Sequence, residues 1–392
     1  MKIIMIDNHS FGIEDMTQAF EQIGYETQIF THKDIDLRYS DTFSRDFELF
    51  LAKKEVAFVF SFNYFPLVSR YCQEHNLIYA SFIYDSPLVA LFSCTVINPC
   101  NIIFIFDKAM YLRLKNIGIK TVHYLPLCAN AKRLTHMKRL EPHQTLVFTS
   151  DVAFVGSLYN EKHNFFDKLE GLDDKTKGYL DGIMASQLQV SGYSFIEDLL
   201  SEDILNALRE CVPYKPLFDG TEPDSYVYTS YFIERKMTSM ERIDLLRLIS
   251  DNFHLNIFTH KECEEIENAN FMSAIDYYNQ MPYVFLNSKI NLNITLRSIH
   301  SGIPLRAFDI MGCGGFLLTN FQADFLDYFV PDEDFVYYES REDLLNKIEY
   351  YLSHDKERCA IAANGLNKVS RGHSYVDRAR YIADMVQNNP VF

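Results

Sequence analysis

The sequence contains no tryptophan, few basic residues and no long apolar run. Without tryptophan, only the 25 Tyr and 32 Phe residues supply large aromatic rings that can stack on a ligand. We expect most of these rings to fill the hydrophobic cores. The 53 Asp and Glu residues outnumber the 37 Lys and Arg residues, and the formal net charge is −16 at pH 7. Such a charge repels nucleic acid and anionic membranes, so neither is an expected partner. No stretch approaches the roughly 20 apolar residues of a membrane-crossing helix, so we expect no integral membrane segment.

Patterns typical of metal binding are also sparse. The 8 Cys residues are scattered without CxxC-type pairs, which is typical of reduced thiols in a reducing compartment. The run HKECEEIE at 260–267 has no second cluster at a plausible spacing, so it predicts a solvated helix start and not a metal site. The chain enters a strand at once and reaches Asp7 early, which does not fit a signal peptide. We therefore expect a cytoplasmic protein with no metal and no cofactor.

A length of 392 residues, with 48% hydrophobic and 23% charged residues, is typical of a globular chain with two domains. Apolar strands alternate with helices in the first half, which predicts an α/β protein whose parallel sheet is covered on both faces. We expect an N-terminal domain over 1–145 and a second domain over 146–373, with a largely helical elaboration at about 160–250. The predicted strands lie at 2–6, 26–30, 56–60, 78–84, 102–106, 120–124, 151–156, 255–258, 283–286, 315–319 and 335–338.

The most informative segment is SGIPLRAFDIMGCGGFLLTN, which spans 301–320. Gly302 allows a sharp turn, and Pro304 suits the first position of a helix, where a missing N–H is tolerated. Gly314 and Gly315 then end the helix, and the apolar residues 316–318 are typical of a buried strand. The segment therefore predicts a turn, a short helix, a second turn and a strand.

The start of this helix predicts an anion site. Its free N–H groups and dipole favour a phosphate, and a nearby cation such as Arg306 strengthens that preference. Asp309 lies one turn from Arg306 on the same face, where it is placed to accept hydrogen bonds from sugar hydroxyls and is expected to contribute little to packing. Together these residues predict a nucleotide-sugar pocket. The simpler alternative is a surface ion pair between the two side chains.

Segment 301–320 resembles the donor-site element of glycosyltransferases with the GT-B fold, in which two Rossmann-like domains with parallel sheets face each other across a cleft. More narrowly, it resembles the branch related to the spore-maturation protein CgeB. The resemblance implies a donor site in the second domain and a last helix, 374–392, that packs back on the first domain. It extends to FIYDSP at 82–87, DVAFVGSLY at 151–159, SKINLNITLRSIH at 288–300, YYLSHDKERCAIAANGLNKV at 350–369 and HSYVDRA at 373–379.

The resemblance also implies roles for individual donor-site residues. Retaining transferases of this type carry two glutamates eight residues apart at the donor. Here the first position is Ser301, which excludes a carboxylate contact to the transferred sugar, and the second is Asp309, which keeps a carboxylate for the ribose. The anomeric outcome therefore stays open, although the resemblance leans towards retention.

The phosphate-binding arginine of that group is missing, because Ser157 follows the first glycine of the second domain, Gly156. Arg297 and Arg306 are the expected replacements, since a guanidinium binds phosphate through two parallel hydrogen bonds and stabilises charge on a leaving nucleotide. Lys162 is a further candidate. A solvated surface arginine is the alternative for Arg297. The expected donor-binding group is Gly156, Asn293, Arg297, Ser301, Gly302, Arg306, Asp309, Gly314 and Gly315.

The expected catalytic group is Asp85, His300 and Arg306. His300 is placed to donate to phosphate or to the leaving oxygen, although a structural role is common for a single histidine. Asp85 ends a first-domain strand, where it is expected either to act as a base on an acceptor hydroxyl or to cap the next helix. Asn8 and His9 also follow a first-domain strand, on the expected acceptor side.

Together with these patterns, the resemblance implies a metal-independent, hexosyltransferase-type enzyme that moves a sugar from a nucleotide-diphosphate donor, a UDP-sugar, to an acceptor hydroxyl. The expected acceptor is a glycan, a protein or a small molecule. Two alternatives remain at this point. A nucleotide-sugar epimerase has the same fold and needs no acceptor, and a non-catalytic protein binds the sugar nucleotide without releasing UDP.

Overall fold

The computed structural model describes residues 1–160 and 164–388, and it divides into two compact units. The first unit comprises Met1–Cys128, Pro216–Glu222 and the chain from His373 onward. The second comprises Ala129–Lys215 and Pro223–Gly372. The chain therefore passes between the units at 128–129, 215–216, 222–223 and 372–373.

The first unit contains a six-stranded parallel sheet in the order β2-β1-β3-β4-β5-β6. Strand and helix alternate along the chain, because each parallel neighbour requires a crossover connection. The strands are β1 (Lys2–Ile6), β2 (Glu26–Phe30), β3 (Val56–Phe62), β4 (Tyr79–Phe82), β5 (Asn101–Ile105) and β6 (Val122–Tyr124). The helices between them are α1 (Ile13–Gln22), α2 (Asp41–Leu51), α3 (Pro66–Glu74) and α4 (Lys108–Asn116).

The second unit contains another six-stranded parallel sheet, in the order β12-β11-β10-β7-β8-β9. Its strands are β7 (Ser150–Val155), β8 (Leu255–Thr259), β9 (Asn270–Ser273), β10 (Ser288–Asn293), β11 (Leu317–Asn320) and β12 (Val336–Tyr338). Apolar side chains of the central strands, such as Val152, Ile257 and Leu318, form a buried core with the flanking helices. The predicted α/β class with two parallel sheets is confirmed.

Ten α-helices of the second unit lie within the residues described. They are α5 (Ala131–Thr135), α6 (Pro142–Thr145), α7 (Asp174–Gln187), α8 (Glu202–Cys211), α9 (Asp224–Val227), α10 (Glu234–Ser250), α11 (Met281–Asn287), α12 (Leu305–Cys313), α13 (Arg341–Ser353) and α14 (Asp355–Gly372). Helices α7 to α10 form the predicted helical insertion between β7 and β8. No helix in the described part of the chain is both long and apolar enough to span a bilayer.

Two local predictions are wrong. Residues 283–286 form part of helix α11 and not a strand, because Pro282 in the first turn favours a helix start and a short apolar run fits either structure. Residues 260–267 form turns and not the start of a helix. Strand β9 was not predicted, since its edge position leaves it half exposed and without an apolar run.

The last helix, α15 (Tyr375–Gln387), belongs to the first unit and packs against α1. Ser374 caps its start by accepting a hydrogen bond from the backbone N–H of Asp377. Arg378 donates to the carbonyl oxygens of Pro126 and Leu127 at 2.7 and 3.0 Å, which ties the helix to the chain that leaves β6.

Candidate functional site

The expected donor site lies at the carboxyl edge of the second sheet. Strands β7 and β10 are neighbours in that sheet, and both are followed by loops at this edge. The loop after β7 begins with Gly156, whose N–H donates to the carbonyl oxygen of Phe258 at 3.1 Å. The loop after β10 runs over 294–304 and leads into α12, which begins at Leu305. Ligands of parallel α/β sheets bind at such an edge.

One face of α10 holds the loop after β10. The residues of this face recur at helical spacing and contact the loop between Ile294 and His300. Thr238 Oγ1 accepts from the backbone N–H of Arg297 at 2.9 Å. Arg242 donates to the carbonyl oxygen of Ile294 through Nε at 3.1 Å and Nη2 at 2.5 Å. We call this face the α10 clamp and define it by Glu234, Thr238, Glu241 and Arg242.

Arg297 forms an ion pair with Glu241 of the α10 clamp. Its Nη2 and Nε lie 2.5 and 2.8 Å from the two carboxylate oxygens of Glu241, and its Nη1 donates to the carbonyl oxygen of Val190 at 3.0 Å. Burial by itself would lower the pKa of Arg297, but the charge and hydrogen bonds of Glu241 outweigh it and raise the pKa above its ordinary value. The alternative of a solvated surface arginine is therefore wrong. The expected phosphate contact is also disfavoured, because a carboxylate occupies the fork of this guanidinium.

Two other arginines of α10 were missed in the sequence. Arg242 is 9% exposed, donates to the carbonyl oxygen of Ser157 at 2.6 Å and lies 5.1 Å from the ring centre of Tyr159. Burial lowers its pKa. The guanidinium carbon of Arg235 lies 4.6 Å from the centre of the same Tyr159 ring, and the buried Nε of Arg235 has no hydrogen-bond partner. Within residues 1–160 and 164–388, the hydrogen-bond acceptors of Arg242 are carbonyl oxygens, and neither arginine has a carboxylate within ion-pair distance. Lys162 lies outside the described residues.

His300 and Glu234 form a hydrogen bond at the end of the α10 clamp. Nε2 of His300 lies 2.8 Å from Oε1 of Glu234, and the hydroxyl of Ser194 donates to the same oxygen at 2.8 Å. Glu234 is 1% exposed, whereas about a third of the His300 side chain is accessible. The predicted site residue His300 thus has a buried carboxylate partner that the sequence did not reveal.

Arg306 and Asp309 lie at the start of α12, but they are packed more tightly than expected. Nη1 of Arg306 is 3.7 Å from Oδ2 of Asp309, and its guanidinium lies over the ring of Phe285 at 5.6 Å. Asp309 is 1% exposed, and the hydroxyl of Tyr277 donates to its Oδ1 at 2.9 Å. The expectation that this carboxylate contributes little to packing is therefore wrong. A simple surface ion pair does not describe it either.

The glycines that end α12 have packing roles. Gly314 caps the helix with φ near +80°, a conformation that L side chains rarely adopt. A Cβ on Gly315 would lie 2.8 Å from the carbonyl oxygen of Phe285 and 2.8 Å from Nδ2 of Asn291. Both glycines are at the end of the helix farthest from the expected phosphate, about 13 Å away along its axis. Contact with a ligand at the helix start is therefore not expected of Gly314 or Gly315.

Other expected donor-site residues serve the scaffold of the loop. Asn293 is 5% exposed, and its Nδ2 donates to the hydroxyls of Thr295 and Thr319 at 3.0 and 2.9 Å. The hydrogen bond to Thr319 joins β10 to β11. The carbonyl oxygen of Ser301 accepts from the N–H of Asp324 at 3.0 Å, and the neighbouring Gly302 is buried.

The first unit has a separate cavity of about 470 Å³ at the carboxyl ends of β1, β3 and β4. The expected acceptor-side residues Asn8, His9 and Asp85 all line it. Asp85 is exposed, and its Oδ2 accepts from Nδ2 of Asn63 at 2.7 Å. The helical turn that follows, Val89–Phe92, has no side-chain cap, so the capping alternative for Asp85 is wrong.

A short piece of the helical insertion completes the wall of this cavity. Leu217 lines the cavity, and Asp219 lies close to the buried Arg38, with 3.6 Å between Oδ1 and Nε. The hydroxyl of Ser93 donates to Oδ2 of Asp219 at 2.7 Å. The N–H of Thr221 donates to the carbonyl oxygen of Phe92 at 2.8 Å. Residues Pro216–Glu222 are thus part of the first unit.

Residues 242–384, roughly a third of the chain, match the model of a family described as glycosyl transferase-like. None of the curated proteins compared with the chain matches it. Solved structures match over nearly the whole length. Sucrose-phosphate synthase from Thermosynechococcus elongatus is 13% identical, with a TM-score of 0.55, and 99% of this chain and 98% of that chain are covered. Trehalose-6-phosphate synthase OtsA is 10% identical, with a TM-score of 0.55 and 99% of both chains covered.

The structure of Anabaena HepE in complex with UDP-glucose is 9% identical, with a TM-score of 0.53 and 99% of both chains covered. At these identities the similarity shows the fold, which is that of GT-B glycosyltransferases. The similarity of fold covers 99% of the chain, and the match to the glycosyl transferase-like family covers most of the elements from α10 to α15.

Proposed function

We propose that the protein transfers a sugar from a UDP-sugar to an acceptor hydroxyl. The observation that carries this proposal is a pair of arginines without carboxylate partners in the described residues, Arg235 and Arg242, beside the loop that follows Gly156 in a GT-B fold. A diphosphate would supply the missing negative charge. HepE, which has the same fold, is known in complex with UDP-glucose, which makes a hexose on UDP the first donor to test.

The proposed diphosphate site replaces the missing arginine of the family. The accessible part of Arg235 would bind phosphate oxygens, while the buried charge of Arg242 would act through space, since its N–H groups already bind carbonyl oxygens. The start of α12 adds free N–H groups and the positive end of a helix dipole. Because arginines and the helix start would compensate the phosphate charge, we propose that the reaction needs no metal ion.

We propose Asp309 and Arg306 as the nucleotide side of the donor. In this structure Asp309 accepts from Tyr277 and lies near Arg306, so ribose binding would exchange or share the Tyr277 hydrogen bond. During transfer the C1–O bond to the diphosphate breaks, UDP leaves with the bonding electrons, and the acceptor oxygen takes its place on C1. His300 is proposed to donate to the leaving phosphate oxygen, and Asp85 to accept the proton of an acceptor bound in the cavity of the first unit.

The narrower assignments also belong to this proposal. The sequence similarity of 301–320, 350–369 and 373–379 to the CgeB-related branch favours that branch among glycosyltransferases. The reduced-thiol pattern of the cysteines favours the cytoplasm. The acceptor is proposed to be a hydroxyl on a glycan, a protein or a small molecule.

The test is a thermal-shift panel of UDP, UDP-glucose, UDP-galactose, UDP-N-acetylglucosamine, GDP-mannose and ADP-glucose. A ligand at a hundred times its dissociation constant adds about 2.7 kcal/mol to the free energy of unfolding. We expect at least one UDP compound to raise the melting temperature, and Arg235→Ala to weaken that effect. Arg247→Ala is the matched control, because Arg247 lies on the same helix but pairs with Asp244 at the surface.

A panel in which no nucleotide sugar stabilises the protein would overturn the proposal. If a donor binds, incubation with that donor alone separates the remaining classes. Isomerised donor sugar would identify an epimerase, and binding without UDP release in any acceptor screen would identify a non-catalytic protein. UDP release that depends on an added acceptor supports transfer.

A further inference from the structure

We infer that Glu234 is a positioning residue that sets the orientation and the proton of His300 at the donor site. The inference rests on the proposed function for its catalytic consequence but not for its structural part. Its basis is the 2.8 Å contact between Oε1 of Glu234 and Nε2 of His300, made by a carboxylate that is 1% exposed.

The contact determines which ring nitrogen of His300 carries a proton. A carboxylate oxygen accepts hydrogen bonds, so we assign Nε2 as the donor in this contact. Ser194 donates to the same oxygen of Glu234 at 2.8 Å and holds that oxygen in place. Nδ1 of His300 is then the nitrogen that accepts in the neutral ring and donates in the protonated ring. A leaving phosphate oxygen needs a donor whose direction is fixed before the reaction, and this pair supplies one.

The rest of the Glu234 environment argues against a direct contact with the transferred sugar. Its second oxygen, Oε2, is buried and has no hydrogen-bond partner. Glu234 is 1% exposed, which leaves its carboxylate almost no surface for contact with a sugar. We therefore infer that Glu234 acts on the reaction through His300.

A purely structural role does not explain why a glutamate occupies this buried position. A buried carboxylate with one unbonded oxygen lowers the stability of the fold. An apolar side chain would fill the same position on α10 without that cost. The charge of Glu234 is therefore expected to matter at His300, in surroundings where a buried charge acts strongly because little water screens it.

The first experiment measures the histidine itself and needs no donor. Nitrogen-15 NMR of the histidine side chains, with the His300 signals identified by their absence in His300→Gln, should show the proton on Nε2. In Glu234→Leu we expect this signal to lose its hydrogen-bond shift and the tautomers to mix. An unchanged His300 spectrum in Glu234→Leu would overturn the inference even if the protein is a glycosyltransferase.

The second experiment measures UDP release from UDP-glucose, or from the best-bound donor of the panel. We expect Glu234→Leu to lower kcat about 10- to 100-fold, with a KM for donor within about threefold. This loss is at or below the lower limit of the roughly 100- to 10,000-fold that general acid catalysis contributes, because His300 itself remains. Glu234→Asp should recover part of kcat. In the His300→Gln background, Glu234→Leu should add no further loss, because a positioning residue acts only through its partner.

Additive losses in the double variant would show that Glu234 acts independently and would overturn the inference. Chemical denaturation of each variant separates loss of fold from loss of kcat. If no donor releases UDP at all, the proposed function fails, while the NMR result still decides whether Glu234 sets the proton of His300.

Discussion

Arg297 and Glu241 form a two-pronged ion pair that joins α10 to the loop after β10, with 2.5 Å between Nη2 and Oε1 and 2.8 Å between Nε and Oε2. Both side chains are largely buried, with 16% and 12% of their surfaces exposed. The pair therefore holds the loop on which His300 lies, and its main contribution is to the shape of that loop.

We expect Glu241→Gln to destabilise the second unit by about 3 kcal/mol, because removal of one charge leaves the buried Arg297 without compensation. Asp244→Asn is the control on the same helix. Asp244 pairs with Arg247 and Arg341 at the surface, where a loss within about 0.5 kcal/mol is expected. Chemical denaturation measures both. Equal stability of the two variants would mean that the Arg297 pair contributes no more than a surface pair.

Asp309→Ala is expected to lower both stability and affinity for UDP. The loss of stability should be about 1–3 kcal/mol, since the substitution removes a carboxylate that is 1% exposed and accepts a hydrogen bond from the partly buried Tyr277. Tyr277→Phe removes the other side of the same bond. A double-mutant cycle should give a coupling of at least about 0.5 kcal/mol. A fully stable Asp309→Ala protein with normal UDP affinity would remove Asp309 from both roles.

Arg306→Ala is expected to lower turnover more than it weakens donor binding, because charge on the leaving nucleotide grows in the transition state. A loss of about 100- to 1,000-fold in kcat is typical when one such donor is removed. Steady-state kinetics of UDP release, together with UDP affinity by calorimetry, measure the two effects separately. Unchanged turnover would exclude Arg306 from stabilising the leaving diphosphate.

Gly315→Ala should destabilise the protein, because the new methyl group would meet a backbone oxygen and an amide nitrogen, each 2.8 Å away. Overpacking of this kind costs about 1–3 kcal/mol. Gly182→Ala is the matched control, since Gly182 lies inside α7 with no atom within 4 Å of an added Cβ. There alanine should stabilise the helix by up to about 1 kcal/mol. If the melting temperatures of Gly315→Ala and Gly182→Ala shift in the same direction, this explanation is wrong.

Asp85→Asn should reduce transfer to the acceptor while leaving UDP affinity near normal, if Asp85 accepts the acceptor proton. Asparagine keeps an oxygen that can accept from Nδ2 of Asn63, so the local structure should survive. Asn63→Asp is a useful companion, because it places a second negative charge beside Asp85. Normal transfer by Asp85→Asn would exclude a role as base.

Most of the fold was predictable because strands of a buried parallel sheet are recognisable in the sequence as short apolar runs between helices. KIIMI, NIIFI and LNIFT all became strands close to their predicted positions. The run at 283–286 was misassigned because apolar runs of this length fit a helix equally well, and Pro282 was the deciding signal.

The candidate site was less predictable because its partners come from a distant helix. The sequence pointed to His300 and Arg297, but not to Glu234 or Glu241, which lie about 60 positions earlier. Polar residues at helical spacing on α10 are ordinarily a solvated face. Only the packing of α10 against the loop reveals that these side chains point inward.

Residues Pro216–Glu222 limit where the chain can be cut into fragments, because they lie within the helical insertion but belong to the first unit. The first unit draws on three distant stretches of chain, so a fragment that ends at Cys128 lacks both Asp219 and α15. Such a fragment would lack the carboxylate that lies 3.6 Å from Arg38, and it would lack Arg378, which binds the chain after β6. Removal of the insertion would likewise damage the cavity of the first unit, although most of the insertion belongs to the second. Gene-splitting and domain-exchange designs for this chain must therefore retain Pro216–Glu222 with the N-terminal half.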